Sequence, residues 1–141
     1  MKSNPYESTP QDKLVILDKE SLARKEVSLG QAEPHKIAVS NDEKTLAISH
    51  MNDSFEPSMI MSFYNIDTQK ISRLALEKSL MENYSTEDML INVDFDKDGK
   101  VWILTWKNLL VYDLEKQEKV FGIDLAKYDL EYSHLLALKE K

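Results

Sequence analysis

The chain has 141 residues, 42% of them hydrophobic and 30% charged, which suits a single soluble globular domain. Its 25 acidic residues outnumber 18 basic ones, giving a net charge of −7, so nucleic acids and anionic membrane surfaces are not expected partners. No cysteine is present, which excludes disulfides, thiolate catalysis and cysteine-based zinc sites. No apolar run reaches the roughly 20 residues of a membrane-spanning helix.

The first twelve residues are polar, contain Pro5 and Pro10, and predict a flexible leader. They lack the apolar stretch of a signal peptide, so we expect a cytoplasmic protein, with a mature secreted domain as the alternative.

From Leu14 onward, short runs rich in Val, Ile, Leu and aromatic residues alternate with turn residues, which predicts an all-β chain. The expected strands are 13–18, 24–30, 36–40, 45–50, 59–65, 70–76, 89–95, 100–106, 109–114 and 119–125, with a further strand at 131–138 as an option. Residues 76–83 suit a helix, because Leu76, Leu80 and Met81 are spaced for one face. The segment 130–141 suits a helix as well as a strand. Strands without helical crossovers predict antiparallel sheets.

The sequence repeats itself. Asp18, Asn65 and Asp113 each end a hydrophobic strand, precede a polar turn and a second strand, and recur 47 and 48 residues apart. A second motif, strand, Asp-containing turn, Lys, strand, occurs in "IAVSNDEKTLAIS" and again in "NVDFDKDGKVWIL". Together the two motifs define a four-stranded unit, and a period of ~45–50 residues is the size of a β-propeller blade.

The residues of these motifs carry a resemblance. "VYDLEKQEKV" and "FYNIDTQKIS" resemble the third-to-fourth-strand hairpins of YVTN-type, NHL-type and WD-repeat propellers, and "VDFDKDGKVWIL" resembles their first-to-second-strand hairpin. Tyr-Asp stands where WD repeats carry Trp-Asp. The resemblance implies antiparallel four-stranded blades: a partial blade at 13–31, full blades at 36–79 and 89–125, and a C-terminal strand or helix at 130–141.

About two and a half blades fall short of the 4–8 of a closed propeller. Open sheet edges and uncovered apolar faces favour association. We therefore expect a partial propeller that is completed by other copies or by a missing remainder. A small β-sandwich is the alternative.

Asp94, Asp96, Asp98 and Gly99 match the front half of a calcium-binding loop. The closing positions hold Trp102 and Thr105 instead of acids, and both flanks are strand-like. A β-hairpin is therefore the preferred interpretation, with Val93 and Phe95 on one face and Asp98-Gly99 in the turn. Weak Ca²⁺ binding at the three aspartates is the alternative, and no other cofactor is expected.

Other catalytic and metal patterns are missing from the sequence. His35, His50 and His134 are far apart, and their spacing predicts no zinc site but three unrelated surface or edge histidines. No nucleophile motif of a hydrolase is present.

Aromatic and loop residues supply the candidate binding surface. Trp102 and Trp106 lie four apart on one strand and are expected to pack between blades or to line a contact surface. Two long loops carry apolar side chains amid polar ones, and we expect a binding surface at Met51, Phe55, Leu80, Met81 and Tyr84.

The functional hypothesis is a non-enzymatic protein-binding module of propeller type that recognises another protein or associates with itself. Two alternatives remain open. One is a piece of a propeller-type, metal-dependent lyase or lactonase, and the other is an acidic inhibitor or immunity-type protein that blocks a basic partner.

Overall fold

The structure is a computed structural model that describes residues 12–30, 34–50, 59–85, 87–133, 136, 138 and 139. The described chain is almost entirely β. Its ten strands are β1 Lys13–Leu17, β2 Arg24–Ser28, β3 Pro34–Val39, β4 Thr45–His50, β5 Met59–Asn65, β6 Ile71–Leu76, β7 Leu90–Phe95, β8 Val101–Thr105, β9 Asn108–Asp113 and β10 Glu118–Asp124, followed by a short 3-10 helix, Leu125–Tyr128. All ten expected strands are confirmed, with ends that differ by at most two residues.

The strands form three antiparallel sheets. The first contains only β1 and β2, the second has the order β3-β4-β5-β6, and the third has the order β10-β9-β8-β7. Contacts between the two four-stranded sheets concentrate where β3 and β4 meet β7. The sheets thus approach each other at their first strands, as blades do near the axis of a propeller. We call β3–β4 and β7–β8 the inner hairpins, and β1–β2, β5–β6 and β9–β10 the outer hairpins.

The turns of the three outer hairpins have the same conformation. The side chain of Asp18 accepts hydrogen bonds from the backbone N–H groups of Glu20 and Ser21, both at 2.9 Å. Asn65 accepts from Asp67 and Thr68, and Asp113 from Lys116, in the same way. Four residues after each, the backbone takes a positive φ: 61° at Leu22, 61° at Gln69 and 54° at Gln117. The β1–β2 pair is therefore the structural equivalent of β5–β6 and β9–β10.

The two inner hairpins also match each other. Ser40 and Asp96 begin their turns, and each accepts a hydrogen bond at its backbone C=O from a residue three positions on, Glu43 or Gly99. Those two residues have φ values of 58° and 82°. Gly99 has no side chain to strain in this conformation, which is why the Asp-Gly pair suits the turn.

Two apolar layers separate the sheets. The second sheet directs Leu46, Ile48 and Tyr64 toward the β1–β2 hairpin, where they pack with Leu14 and Leu29. Its opposite face packs on the third sheet through a larger cluster, which includes Ala38, Ala47, Met61, Phe63, Val93, Phe95, Val101, Ile103 and Leu110. This alternation along each strand places the second sheet between the other two, as the middle one of three stacked sheets, and a two-layer sandwich is not formed.

Two expectations at the ends of sheets need correction. Residues 77–83 form turns and no helix, because Met81 inserts into the core and the backbone N–H of Asn83 is held by the side chain of Asn108. The last strand ends at Asp124, whose side chain caps the 3-10 helix by accepting from the N–H of Ala126. Within 130–141, the part of the segment that the structure describes contains neither strand nor helix. None of the described residues belongs to a helix long and apolar enough to cross a membrane.

Candidate functional site

The inner half of the first sheet has no strands among the described residues. The β1–β2 hairpin occupies the place of the third and fourth strands of a blade, and β1 pairs with β2 alone. In the two complete sheets the equivalent strands, β5 and β9, are each paired on both sides. One edge of β1 is therefore free within the part of the chain that the structure describes.

Backbone groups on this edge point outward. The N–H of Asp18 bonds to the C=O of Ala23 at 2.9 Å, and the N–H of Leu29 bonds to the C=O of Asp12 at 2.8 Å. In an antiparallel strand only every second residue directs its backbone N–H and C=O groups at the partner strand. In β1 these are the even-numbered residues, as the bonds of Asp12 and Asp18 show. The N–H and C=O groups of Lys13, Val15 and Leu17 consequently point to the free edge.

Two apolar side chains on β3 lie uncovered on the same side of the molecule. Ile37 and Val39 pair in register with Ile48 and Leu46, so they share the face that looks toward the first sheet. Their exposed fractions are 52% and 50%. In the inner hairpin of the next sheet the equivalent residues are Val93 and Phe95, which are only 5% and 6% exposed because the second sheet covers them. Among the described residues, no inner strands of the first sheet lie over Ile37 and Val39, which accounts for the difference.

A groove of about 220 Å³ runs between β1 and β3. Its lining combines apolar side chains with three basic ones and contains no acid: Lys13, Leu14, Val15, Leu29, Pro34, His35, Lys36, Ile37 and Ile48. The end of the hairpin beside it is fixed by Asp12, which accepts hydrogen bonds from the Ser28 hydroxyl and from the Gly30 N–H. These two bonds, that of Ser28 first, lower the pKa of Asp12.

A second, polar cleft of about 300 Å³ lies where the turns of the two complete sheets meet. It has four acidic and two basic residues in its lining: Asp42, Asp98, Asp113 and Glu115, with Lys97 and Lys100. The two inner turns are joined there, because the Asn41 side chain donates to the backbone C=O of Asp96 at 3.3 Å. Lys100 Nζ lies 4.0 Å from Asp113 Oδ2. The Asn41 bond thus connects the two complete sheets at their inner turns, whereas the Lys100–Asp113 pair lies within the third sheet.

Asp96 organises the β7–β8 turn, whose three aspartates also suggested weak calcium binding. Its Oδ1 accepts from the N–H groups of Asp98 and Lys100, and its Oδ2 accepts from the Trp102 indole, each at 2.9 Å. Partial burial raises the pKa of Asp96, but the indole bond and the two backbone bonds outweigh it, and the pKa lies below its usual value.

The hairpin interpretation of this stretch is confirmed. Val93 and Phe95 lie in the core, and Gly99 has the positive φ of the turn. Asp94 accepts at its Oδ1 from the Phe95 N–H. Across the described ranges, no three acidic or histidine side chains converge to form a metal site. Both oxygens of Asp96 already serve as acceptors for the turn and for Trp102.

The outward face of the third sheet is covered by its own aromatic residues. Trp102 and Phe121 lie beside Val111 in register and meet edge to face, with ring centroids 5.6 Å apart. Val111 is only 1% exposed as a result. Trp106 packs against Tyr132, also at 5.6 Å, and the backbone N–H of Tyr132 bonds to the C=O of Trp106. This end of the stack is thus partly closed, in contrast to the open first sheet.

The two histidines that the structure describes, His35 and His50, differ in burial. His50 is buried at the end of β4, not at the surface as expected, and its Nε2 lies 2.6 Å from the Ser62 hydroxyl. His35 is exposed on β3, on the rim of the groove. His134 lies outside the described residues.

The structure describes only three of the five residues of the expected loop surface, and these three differ in exposure. Met51 and Phe55 lie outside the described residues. Met81 is 6% exposed and belongs to the core, and Leu80 packs against the same cluster, so neither offers much contact area to a partner. Tyr84 stays 39% exposed.

Sequence reasoning missed a buried polar network under this loop. The carboxylate of Asp88 accepts from the Thr105 hydroxyl at 2.7 Å, from the Asn108 amide at 3.0 Å and from the Lys107 N–H at 3.1 Å. The network ties the connection between the two complete sheets to the β8–β9 turn. Its only signal in the sequence is polar residues at strand ends, which any loop also shows.

Comparison with solved structures identifies the fold. The β-propeller domain of the Trilobed protease from Pyrococcus furiosus is similar, with a TM-score of 0.58 and 15% identity over 79% of this chain. A luciferin-regenerating enzyme has a TM-score of 0.49 at 16% identity over 79%, and a chain of the mitotic checkpoint complex 0.48 at 14% over 88%. The last two scores are too low to establish a fold by themselves.

The chain spans about a third of each of these proteins: 34%, 36% and 32%. No model of a known protein family matches the sequence, and no curated protein matches it. At such identities the similarity extends to the fold alone. The chain is therefore all-β, built from antiparallel four-stranded sheets with the architecture of β-propeller blades.

Proposed function

We propose that the chain is a non-enzymatic protein-binding module of β-propeller type, of the kind to which YVTN, NHL and WD repeats belong, and that it binds a protein at the open half of its first sheet. The observation that carries the proposal is the exposure of Ile37 and Val39, whose equivalents Val93 and Phe95 are buried. Burying a large aliphatic side chain is worth about 1.5–3 kcal/mol, and roughly half of that remains to be gained at each of these positions.

The free edge of β1 also favours binding of a protein at the open half of the first sheet. An unpaired strand edge is a template on which another chain can pair, and natural proteins usually shorten, charge or cover it. Here the edge strand also exposes Val15 and Leu17, at 50% and 57%, on the face of the first sheet opposite to that of Leu14. Such a combination favours association with protein and is unlike a small-molecule pocket.

The buried histidine and serine support a non-enzymatic role. His50 and Ser62 form the pairing that a nucleophilic site would need, but their exposed fractions are 2% and 0%. Their bond lies between β4 and β5 inside the second sheet, where a substrate has no access. We interpret it as a satisfied pair of core polar groups.

Site-specific photocrosslinking tests the proposal. A photoreactive phenylalanine analogue at Val39 is expected to give protein adducts in cells of the source organism. The matched control carries the analogue at Leu22, which is 69% exposed on the β1–β2 turn and does not line the groove. Adducts at position 39 and not at 22 support the proposal. Absence of protein adducts at 39, or equal yields at the two positions, contradicts it.

A further inference from the structure

We propose that the protein bound at this site supplies a two-stranded antiparallel β-hairpin, which pairs with the free edge of β1 and completes the first sheet. The hairpin places apolar residues on Ile37 and Val39 and acidic residues beside Lys13 and Lys36. This inference rests on the protein-binding function proposed above and specifies the partner for it.

The backbone of β1 provides the pairing surface. Lys13, Val15 and Leu17 direct their N–H and C=O groups at the free edge, while the even-numbered residues are already bonded to β2. Main-chain hydrogen bonds to such an edge are how sheets bind extended peptides in general. The partner strand next to β1 is antiparallel to it, as every paired strand in this fold is.

The side chains require two strands and not one. A single strand added beside β1 would lie over β4, whose Leu46 and Ile48 are already 6% and 2% exposed. The uncovered residues lie on β3, one strand spacing of about 4.8 Å further in. Only a second added strand reaches Ile37 and Val39. An inner hairpin fills the equivalent place in each of the two complete sheets.

The charges of the groove define the chemistry of the hairpin. Lys13, His35 and Lys36 form its rim, and no acidic side chain lines it, although the chain as a whole carries a net charge of −7. A hairpin with aspartate or glutamate at its solvent-facing positions is complementary to this local excess of positive charge.

A second copy of the chain does not fit the same place. An antiparallel pair of two β1 strands would have its two-fold axis perpendicular to the sheet. The β3–β6 sheets of both copies would then lie on the same side. Each would occupy the space under the other's hairpin, where Ile37 and Val39 are. A second copy in this arrangement is thereby excluded, and we propose a hairpin of a partner protein as the occupant.

A peptide with the sequence of residues 90–105 serves as the probe, because it forms an inner hairpin in this chain and contains three aspartates and two lysines. Fluorescence anisotropy of the labelled peptide measures its binding to the full chain. We expect saturable binding. Absence of binding up to roughly 1 mM, about −4 kcal/mol, overturns the proposal.

Two variants test the mode of binding. Val15→Pro removes an N–H at the free edge and breaks no β1–β2 hydrogen bond, and Ile37→Lys places a charge under the added hairpin. Each is expected to weaken binding of the peptide at least about tenfold. Val15→Thr keeps the N–H, and Leu22→Lys changes an exposed apolar residue elsewhere. Both controls should bind as the unmodified chain does, and all four should retain its circular dichroism spectrum.

The outcomes separate this inference from the function on which it rests. If Ile37→Lys weakens binding but Val15→Pro does not, the surface binds protein without strand addition, and the hairpin proposal is wrong while the binding function stands. If the peptide fails to bind but a photoreactive residue at Val39 still yields adducts, the same conclusion holds. If neither peptide nor adduct is seen, both proposals are wrong.

Discussion

Asp96 shows how a single carboxylate can fix a hairpin. It receives three hydrogen bonds, two from backbone N–H groups of its own turn and one from the indole of Trp102 on the next strand. The indole bond holds Trp102 beside Phe121 and over Val111. One side chain therefore shapes the turn and the outward face of the third sheet.

Replacing Asp96 should destabilise the third sheet. Hydrogen bonds to a charged group contribute about 1.5–3 kcal/mol each when well shielded, and solvent weakens them here, so we expect Asp96→Ala to lower the free energy of unfolding by roughly 1–2 kcal/mol. Urea denaturation followed by tryptophan fluorescence measures it. The control Asp98→Ala, exposed in the same turn, should change stability by less than about 0.5 kcal/mol. Equal effects of the two substitutions would contradict the bracing role of Asp96.

The contribution of Asp96 should also depend on pH. Its pKa in the folded chain is lowered, so the folded state binds the proton less readily than the unfolded state does. Its stabilisation is therefore fully present above the unfolded pKa of about 3.9 and is lost as pH falls through the lower folded value. Compared with Asp96→Asn, the unmodified chain should keep a constant advantage near neutral pH and lose it at acidic pH. An advantage that grew as the pH fell would have the wrong sign.

At the scale of the element, the turn of every inner and outer hairpin contains one residue with positive φ. The outer hairpins place Leu22, Gln69 and Gln117 in that conformation, where a side chain is strained. The Asp or Asn four positions earlier compensates through its bonds to the turn. This combination, visible as a 47- to 48-residue repeat, is why the hairpins could be located from the sequence.

Glycine at these positions should reveal the strain. We expect Gln69→Gly to raise the free energy of unfolding by up to about 1 kcal/mol, because glycine adopts positive φ without cost. Gly99→Ala should lower it by about 1–2 kcal/mol. No atom lies within 4 Å of the added Cβ there, so that loss comes from the backbone alone. Thermal unfolding measures both, and effects of the same sign would contradict the assignment.

The connection at 77–83 shows what local pattern cannot supply. Leu80 and Met81 have the spacing of a helix, yet they reach the core from a loop. That loop is held by the contacts of Asn83 and Asp88 with Asn108, which lies 20 or more residues away in the chain. Tertiary bonds of this kind have no signature in a seven-residue window, whereas two-residue alternation in a strand does.

At the scale of the whole molecule, the sequence repeats predicted a partial first blade, and among the described residues the first sheet contains only β1 and β2. The position of the site was not predictable in the same way. Ile37 and Val39 alternate with polar neighbours as Val93 and Phe95 do, and nothing local distinguishes covered residues from uncovered ones. Only the stacking of the sheets shows which face lacks its neighbour.

Truncation of valine to alanine should lower the free energy of unfolding by different amounts on the equivalent faces of β3 and β7. Val93→Ala removes two buried methyl groups and leaves a cavity in the core, so we expect a loss of about 2 kcal/mol. Val39→Ala removes the same atoms from a half-exposed position and should cost less than about 1 kcal/mol in the isolated chain. Chemical denaturation compares the two, and equal losses would mean that Val39 is covered in solution.

Amide hydrogen exchange along β1 tests the central claim, an open sheet edge that accepts a protein hairpin, most directly. In the isolated chain we predict fast exchange at Lys13, Val15 and Leu17 and slow exchange at Leu14 and Ile16, which are bonded to β2. Addition of the 90–105 peptide should slow the three fast amides and leave the other two unchanged. Slow exchange at the odd-numbered residues in the isolated chain, or no change when the peptide is added, would contradict the account.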